Sequence, residues 1–177
     1  MSNLIRATSL RPSVILGPRD RTVVTRMLRF MKLPLGSVMG KGTNRVPCVV
    51  VEELAEAAVR AATRDEALGR SYNISGRETI TQAELMRAFV RAAGGVMTPA
   101  RFPLAWSSLS ATLLDHGYEL MGMQDEPIIS RISVAIFGYD YRVDCSRAEH
   151  DLGWTGSGDY HDAIRRSVDW YRAQRQR

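Results

Sequence analysis

Few residues in this 177-residue chain are both of a reactive type and spaced for chemistry. Cys48 and Cys145 lie far apart and belong to no CxxC or Cys/His pattern, so neither a disulfide framework nor a zinc site is expected. His116, His150 and His161 have no metal-ligand spacing, and no Gly-x-Ser-x-Gly elbow accompanies them. Each reads as a surface or half-buried polar residue rather than a general base. Glu52, Glu53 and Glu56 crowd the start of a helical pattern, where carboxylates oppose the positive end of the helix dipole, and this accounts for them without catalysis. Gly36, Gly40 and Gly42 have the wrong spacing for a phosphate cradle and follow an amphipathic helix, so they read as a loop. No catalytic residue and no metal site is expected in this chain.

The composition, 45% hydrophobic, suits one globular unit with a real core. The net charge of +5 carries little information about partners: of the 24 basic residues only Lys32 and Lys41 are lysine, and the arginines are scattered. The densest group, Arg165, Arg166, Arg172, Arg175 and Arg177, shares a terminal helix with Asp162 and Asp169 and reads as a solvated face, so no nucleic-acid partner is expected. No apolar run is long enough for a signal peptide or a membrane span, and with no disulfide pattern a soluble, cytoplasmic protein is expected.

These residues hang on alternating elements. Residues 8–16 read as a strand stopped by Gly17-Pro18. Asp20 caps a helix over 21–32, with Val23, Val24, Met27, Leu28 and Met31 on one side. VPCVVV reads as a buried strand running into a helix from about Glu53 to Thr63, and SYNIS as another strand. Thr81 and Glu84 form a capping box that opens a helix ended by Gly94-Gly95. Such alternation indicates an α/β layer with parallel strands. Residues 96–177 are read as mainly helical: the apolar run Leu104, Leu109, Leu113, Leu114, Leu120, Met121 and Met123 is expected to pack into the core, with a membrane-facing or ligand-lining role as the alternative. Asp144 or Ser146 then caps a short helix stopped by Gly153, and a last helix has Ile164, Val168 and Tyr171 on one face.

Four stretches, in order, resemble the later half of extended short-chain dehydrogenases/reductases of the NAD-dependent epimerase/dehydratase type. They are Leu10-Arg11-Pro12 to Gly17-Pro18, the GKGTN to VVVEELAEA segment, Tyr72 to Gly76 with Thr81 to Leu85, and DCSRAEHDLGW with the closing DWYR. Gly40, Gly42 and Asn44, with Glu126 to Arg131, are most similar to the 3β-hydroxysteroid dehydrogenase and dihydroflavonol reductase-like branch. The resemblance implies the C-terminal part of a doubly wound, Rossmann-like sheet in residues 1–95. A mostly helical substrate-binding lobe follows in 96–177, interleaved with the first part as one unit. It puts Pro12, Ser13 and Val14 beside the nicotinamide of NAD or NADP and makes Arg45 a candidate for a polar or anionic part of a small-molecule substrate, with a plain surface cation an equal reading. Where the family usually has Asp at the strand-to-helix junction this chain has Glu53, a poorer N-cap.

The family's chemistry requires parts that this sequence does not contain. No glycine-rich turn opens a βαβ unit. A Tyr four residues before a Lys is also required, so that the ammonium lowers the phenol's pKa. Positions 28 and 37 are Leu and Ser, so neither lysine has its tyrosine, and Tyr171 is followed by Arg175, which holds its proton too tightly to substitute. The expectation is therefore a truncated family member, a gene remnant or a chain whose start is set too late, inactive alone. The alternatives are a non-catalytic ligand-binding protein and a half-enzyme completed by a separate N-terminal chain. Unpaired strands and exposed apolar faces would also favour self-association.

Overall fold

The computed structural model describes residues 7–30, 38–95, 101–123, 127 and 129–175. In chain order the elements begin with β1 (Ser9–Pro12), β2 (Val14–Leu16), α1 (Val23–Phe30), β3 (Val38–Met39), β4 (Arg45–Val46), β5 (Cys48–Val50) and α2 (Val51–Thr63). They continue with β6 (Ser71–Ile74), β7 (Ile80–Thr81), α3 (Gln82–Ala92), β8 (Arg101–Phe102), α4 (Leu104–Leu120), α5 (Arg131–Gly138), α6 (Ser146–Leu152) and α7 (Tyr160–Arg175). The architecture is mixed α/β with small, mainly parallel, two-stranded sheets.

The strand expected over 8–16 is two strands, because the chain changes partner at Ser13. β1 runs parallel to β6 with Ser9 opposite Ser71, and β2 runs parallel to β5 with Val14 opposite Cys48. Pro12 has no N–H to give to either ladder. Ser13 N still donates to Ile74 O at 2.9 Å, whereas Val14 N donates to Pro47 O at 3.2 Å, so the switch takes one residue. Pro47 likewise divides VPCVVV between β4 and β5.

The helix starts follow local capping with two corrections. Asp20 accepts from Thr22 N at 2.7 Å, Val23 N at 2.9 Å and Val24 N at 3.0 Å, which satisfies the open amides of α1. The end of that expected helix, residues 31–32, lies outside the described residues. α2 begins at Val51, with Val50 as N-cap and no side-chain cap, so Glu53 is not the cap expected of it. Its longer side chain reaches across the fold instead, accepting from Ser157 N at 2.8 Å and from the Ser157 hydroxyl. α3 carries both halves of the Thr81–Glu84 capping box. At α6 the N-cap position is Cys145, and Asp144 holds the entry by accepting from Ser146 N at 2.9 Å, while Gly153, at φ +58°, takes the left-handed position that ends the helix.

Two apolar clusters hold these elements. The larger joins Leu16, Val24, Leu85, Phe89, Ile164 and Val168, so α7 closes over α1, α3, β2 and β5. The smaller lies between α2, α6 and β6 and is centred on Tyr72, Ile74, Leu152 and Trp154. The Trp154 indole donates to Glu53 O at 2.9 Å, tying the Leu-Gly-Trp turn to the first turn of α2. α4 departs from expectation: Leu109, Leu113, Leu114, Leu120, Met121 and Met123 are exposed rather than core. No helix among the described residues is long and apolar enough to cross a membrane.

Candidate functional site

A cleft of about 980 Å3 opens where the strand switch meets the start of α1. One wall is the β1–β2 turn, Pro12, Ser13 and Val14; the floor is Gly17 and Pro18 with Val51; and the far wall is Ile136, Tyr141 and Val143. The lining is mostly apolar, as ligand sites are. Gly17 is needed for close approach, since a Cβ there would run into the Val51 side chain at the start of α2. Arg19, Asp20 and Arg21 line the remaining side. The Asp20 carboxylate is taken up by the α1 amides, whereas Arg19 and Arg21 have no ion pair among the described residues, so the mouth is cationic. Arg19 adopts φ +71°, a left-handed conformation that non-glycine residues seldom take and that strain at functional sites often accompanies.

Behind the wall a short polar network fixes the switch. The Ser13 hydroxyl donates to Ser75 Oγ at 3.1 Å, and Ser75 Oγ donates to Cys48 O at 3.3 Å. The same carbonyl accepts Gly76 N at 2.7 Å and lies 3.1 Å from the Tyr160 hydroxyl, which also reaches Glu78 O at 2.5 Å. Gly76 has no room for a side chain, because a Cβ would collide with the Tyr160 hydroxyl. Burial pushes the Cys48 thiol up to about 12 and raises the Tyr160 phenol, so both stay protonated and act as structure rather than as nucleophile or base.

The cleft can hold and orient a ligand better than it can move protons. Among the described residues its lining has no histidine, lysine or cysteine, and the Ser13 hydroxyl faces another neutral hydroxyl rather than a base. The three histidines lie elsewhere: His116 contacts Thr112 O at 2.8 Å, His150 contacts Asp151 at 2.8 Å, and His161 is on exposed α7 surface. No group of three or more His, Cys, Asp or Glu positioned to hold a metal occurs among the described residues.

Of the residues singled out from sequence, Pro12, Ser13 and Val14 form one wall together, and Arg45 does not line the cleft. Arg45 is exposed on β4, tied through its backbone to the segment that supplies the far wall: its N donates to Asp140 Oδ1 at 2.6 Å, and its carbonyl accepts from Tyr141 N at 3.3 Å. Sequence reasoning missed Arg19, Arg21, Ile136, Tyr141 and Val143. The two arginines flank a recognised cap, and Arg19 directly follows Gly17-Pro18, which is a usable signal; the other three are distant in sequence and carry none.

Residues 1–75 match the model described as NAD dependent epimerase/dehydratase family. Over that stretch the chain is similar to the epimerase/dehydratase family. It is 25% identical over 168 residues to a 2-alkyl-3-oxoalkanoate reductase of Shewanella oneidensis, covering 92% of this chain and 43% of that protein. It is also 25% identical over 171 residues to a 3beta-hydroxysteroid-dehydrogenase/decarboxylase of Arabidopsis thaliana, covering 90% of this chain and 39% of that one. Among solved structures, a human epimerase family protein with NADPH superposes at a TM-score of 0.63 and 19% identity, over 90% of this chain and 47% of the other. The epimerase/dehydratase relation and the Rossmann-like fold read from the motifs are thereby borne out, and the chain spans less than half the length of these relatives.

Proposed function

We propose that this chain is the substrate-side part of an NAD(P)-dependent reductase or epimerase acting on a hydroxyl or keto group of a small molecule. One observation carries the reading: Pro12, Ser13 and Val14 form a single wall of an apolar cleft with a cationic mouth. In this reading residues 1–95 are the later part of the dinucleotide-binding domain and 96–177 the substrate lobe. NAD or NADP, when bound, supplies or accepts the hydride. Pro12 and Val14 exclude water from one side of the nicotinamide, Arg19 and Arg21 favour an anionic ligand group at the mouth, and Tyr141 faces the wall across the cleft. Arg45, held by its backbone beside Tyr141, meets a polar or anionic part of the substrate from the rim. The chain alone does not turn over, because its sequence has no Tyr-x-x-x-Lys to exchange a proton with the substrate oxygen. That pair and the glycine-rich turn come from an N-terminal segment or a separately encoded chain. A cytoplasmic location belongs to the same proposal, supported by two free cysteines.

The test is NAD(P)H oxidation with a 2-alkyl-3-oxo acid. The 177-residue chain is expected to be silent alone and active when mixed with the segment of the Shewanella reductase that carries the missing motifs, and Val14→Trp is expected to abolish that activity by filling the cleft. Turnover by the chain alone, or mixed activity indifferent to Val14→Trp, would overturn the proposal. The second reading, a non-catalytic ligand-binding protein, draws support from a lining without histidine, lysine or cysteine among the described residues, and saturable binding of a hydrophobic ketone without cofactor would favour it.

A further inference from the structure

The turn between β3 and β4 sits on α3 and makes a second concavity, of about 470 Å3, that shares no lining residue with the cleft. It also uses no residue of β1, β2, β5 or β6, the parallel strands on which a fuller doubly wound sheet would extend. The backbone fixes its shape. Gln82 N donates to Asn44 O at 2.9 Å and Ala83 N donates to Gly42 O at 3.0 Å, so the turn is bound to the start of α3. Gly42, at φ +71°, is required there, because a Cβ would run into the Val38 side chain and come within 3.1 Å of the Ala83 Cβ. Val38 and Val90, both buried, supply an apolar floor.

The charge around that floor is one-sided. Lys41 comes from the turn, Arg87 and Arg91 from successive turns of α3, and Arg101 from β8, whereas Glu84 is the single carboxylate among the described lining residues. Its Oε2 is already engaged in the capping box, accepting from Thr81 N at 3.0 Å and from the Thr81 hydroxyl at 2.7 Å. None of the four cations makes an ion pair or a side-chain hydrogen bond among the described residues, and the Thr43 hydroxyl in the same lining has no partner there either. The helix dipole accounts for Arg91 in the last turn of α3. It does not account for Arg87 one turn earlier, where like charges four residues apart work against the helix, nor for Lys41 and Arg101 on two other elements.

We propose that this concavity binds a compact small molecule through two phosphate groups. Each phosphate presents strong acceptor oxygens and close to a double negative charge, which the guanidinium forks of Arg87, Arg91 and Arg101 can grip in pairs. Lys41 adds a point charge, the Thr43 hydroxyl a neutral donor, and the valine floor takes the apolar part of the ligand. Four cations against one engaged carboxylate match two phosphates better than one. A nucleic acid is the less fitting occupant, because the cations ring a concavity instead of following a groove that could track a phosphate backbone.

The test titrates inorganic pyrophosphate into the isotope-labelled 177-residue chain, followed by amide NMR in about 0.1 M NaCl, where distant charges are largely screened. Saturable shifts are expected at Gly42, Thr43, Ala83 and Arg87, with Ser13, Val14 and Tyr141 unmoved, and inorganic phosphate is expected to bind several-fold more weakly. Arg87→Gln is expected to weaken pyrophosphate binding by about fivefold or more. Lys41→Gln, in a turn where it supports no helix, is expected to do the same and covers the case in which the α3 variant misfolds. Arg165→Gln, an exposed arginine paired with Asp162 on α7, is expected to leave binding unchanged. Absence of saturation, an equal loss with Arg165→Gln, phosphate binding as tightly as pyrophosphate, or a single-stranded oligonucleotide displacing pyrophosphate from these amides at lower concentration would each overturn the proposal.

Discussion

Trp154 and Trp106 stand at the ends of two different relationships between sequence and fold. Trp154 is 1% exposed, its indole N–H is satisfied by Glu53 O, and α2, α6 and β6 close around it. Trp106 is 63% exposed and begins a stripe of leucines that also face outward. Trp106 lies in a strongly apolar stretch, whereas Trp154 sits in a polar, glycine-rich turn, Asp151-Leu152-Gly153-Trp154-Thr155-Gly156. The difference shows that an apolar period fixes which residues share a side but not whether the chain itself covers that side.

The contrast is tested hardest by removing what each region has. Trp154→Ala leaves a cavity and removes the indole bond to Glu53 O, and is expected to cost about 3–5 kcal/mol, read from urea denaturation. Thr81→Ala, which breaks the capping box of α3 beneath the larger cluster, is expected to cost about 1 kcal/mol in the same experiment. Acid acts on the Trp154 side as well. The Asp151 carboxyl is held down to about 2, by its His150 hydrogen bond first and by Arg70 and Tyr72 besides. A carboxyl lowered in the folded chain stabilises above its unfolded pKa of about 3.9, and that contribution is lost as pH falls through about 2. Melting temperature is therefore expected to drop across that window, and Asp151→Asn to flatten the drop. The smallest effect belongs to α4: because Leu113 is exposed, Leu113→Gln is expected to change stability by less than about 0.5 kcal/mol, and a core-sized loss there would erase the comparison.

What was legible in the sequence was what short-range chemistry decides. Asp20 before α1, Thr81 with Glu84, and Gly153 after α6 act within a turn of their own backbone, and each is found where its type predicts. The split at Ser13 was not legible, because it depends on two strands, β5 and β6, that approach from far along the chain. Glu53 misled for the same reason: read as a cap, it spends its carboxylate on Ser157 instead. Of the cleft, the Pro12 to Val14 wall was anticipated from family resemblance, while Tyr141 and Val143 reach it only by tertiary folding.

The cleft's role can be put to one direct measurement. Nicotinamide mononucleotide, the half of the cofactor that the cleft is proposed to face, is titrated into isotope-labelled chain and followed by amide NMR. The account predicts weak, saturable shifts at Ser13, Val14, Thr22 and Tyr141, with α4 unmoved. No saturable shift at those amides, or shifts centred on α4 or the α7 surface, would contradict it.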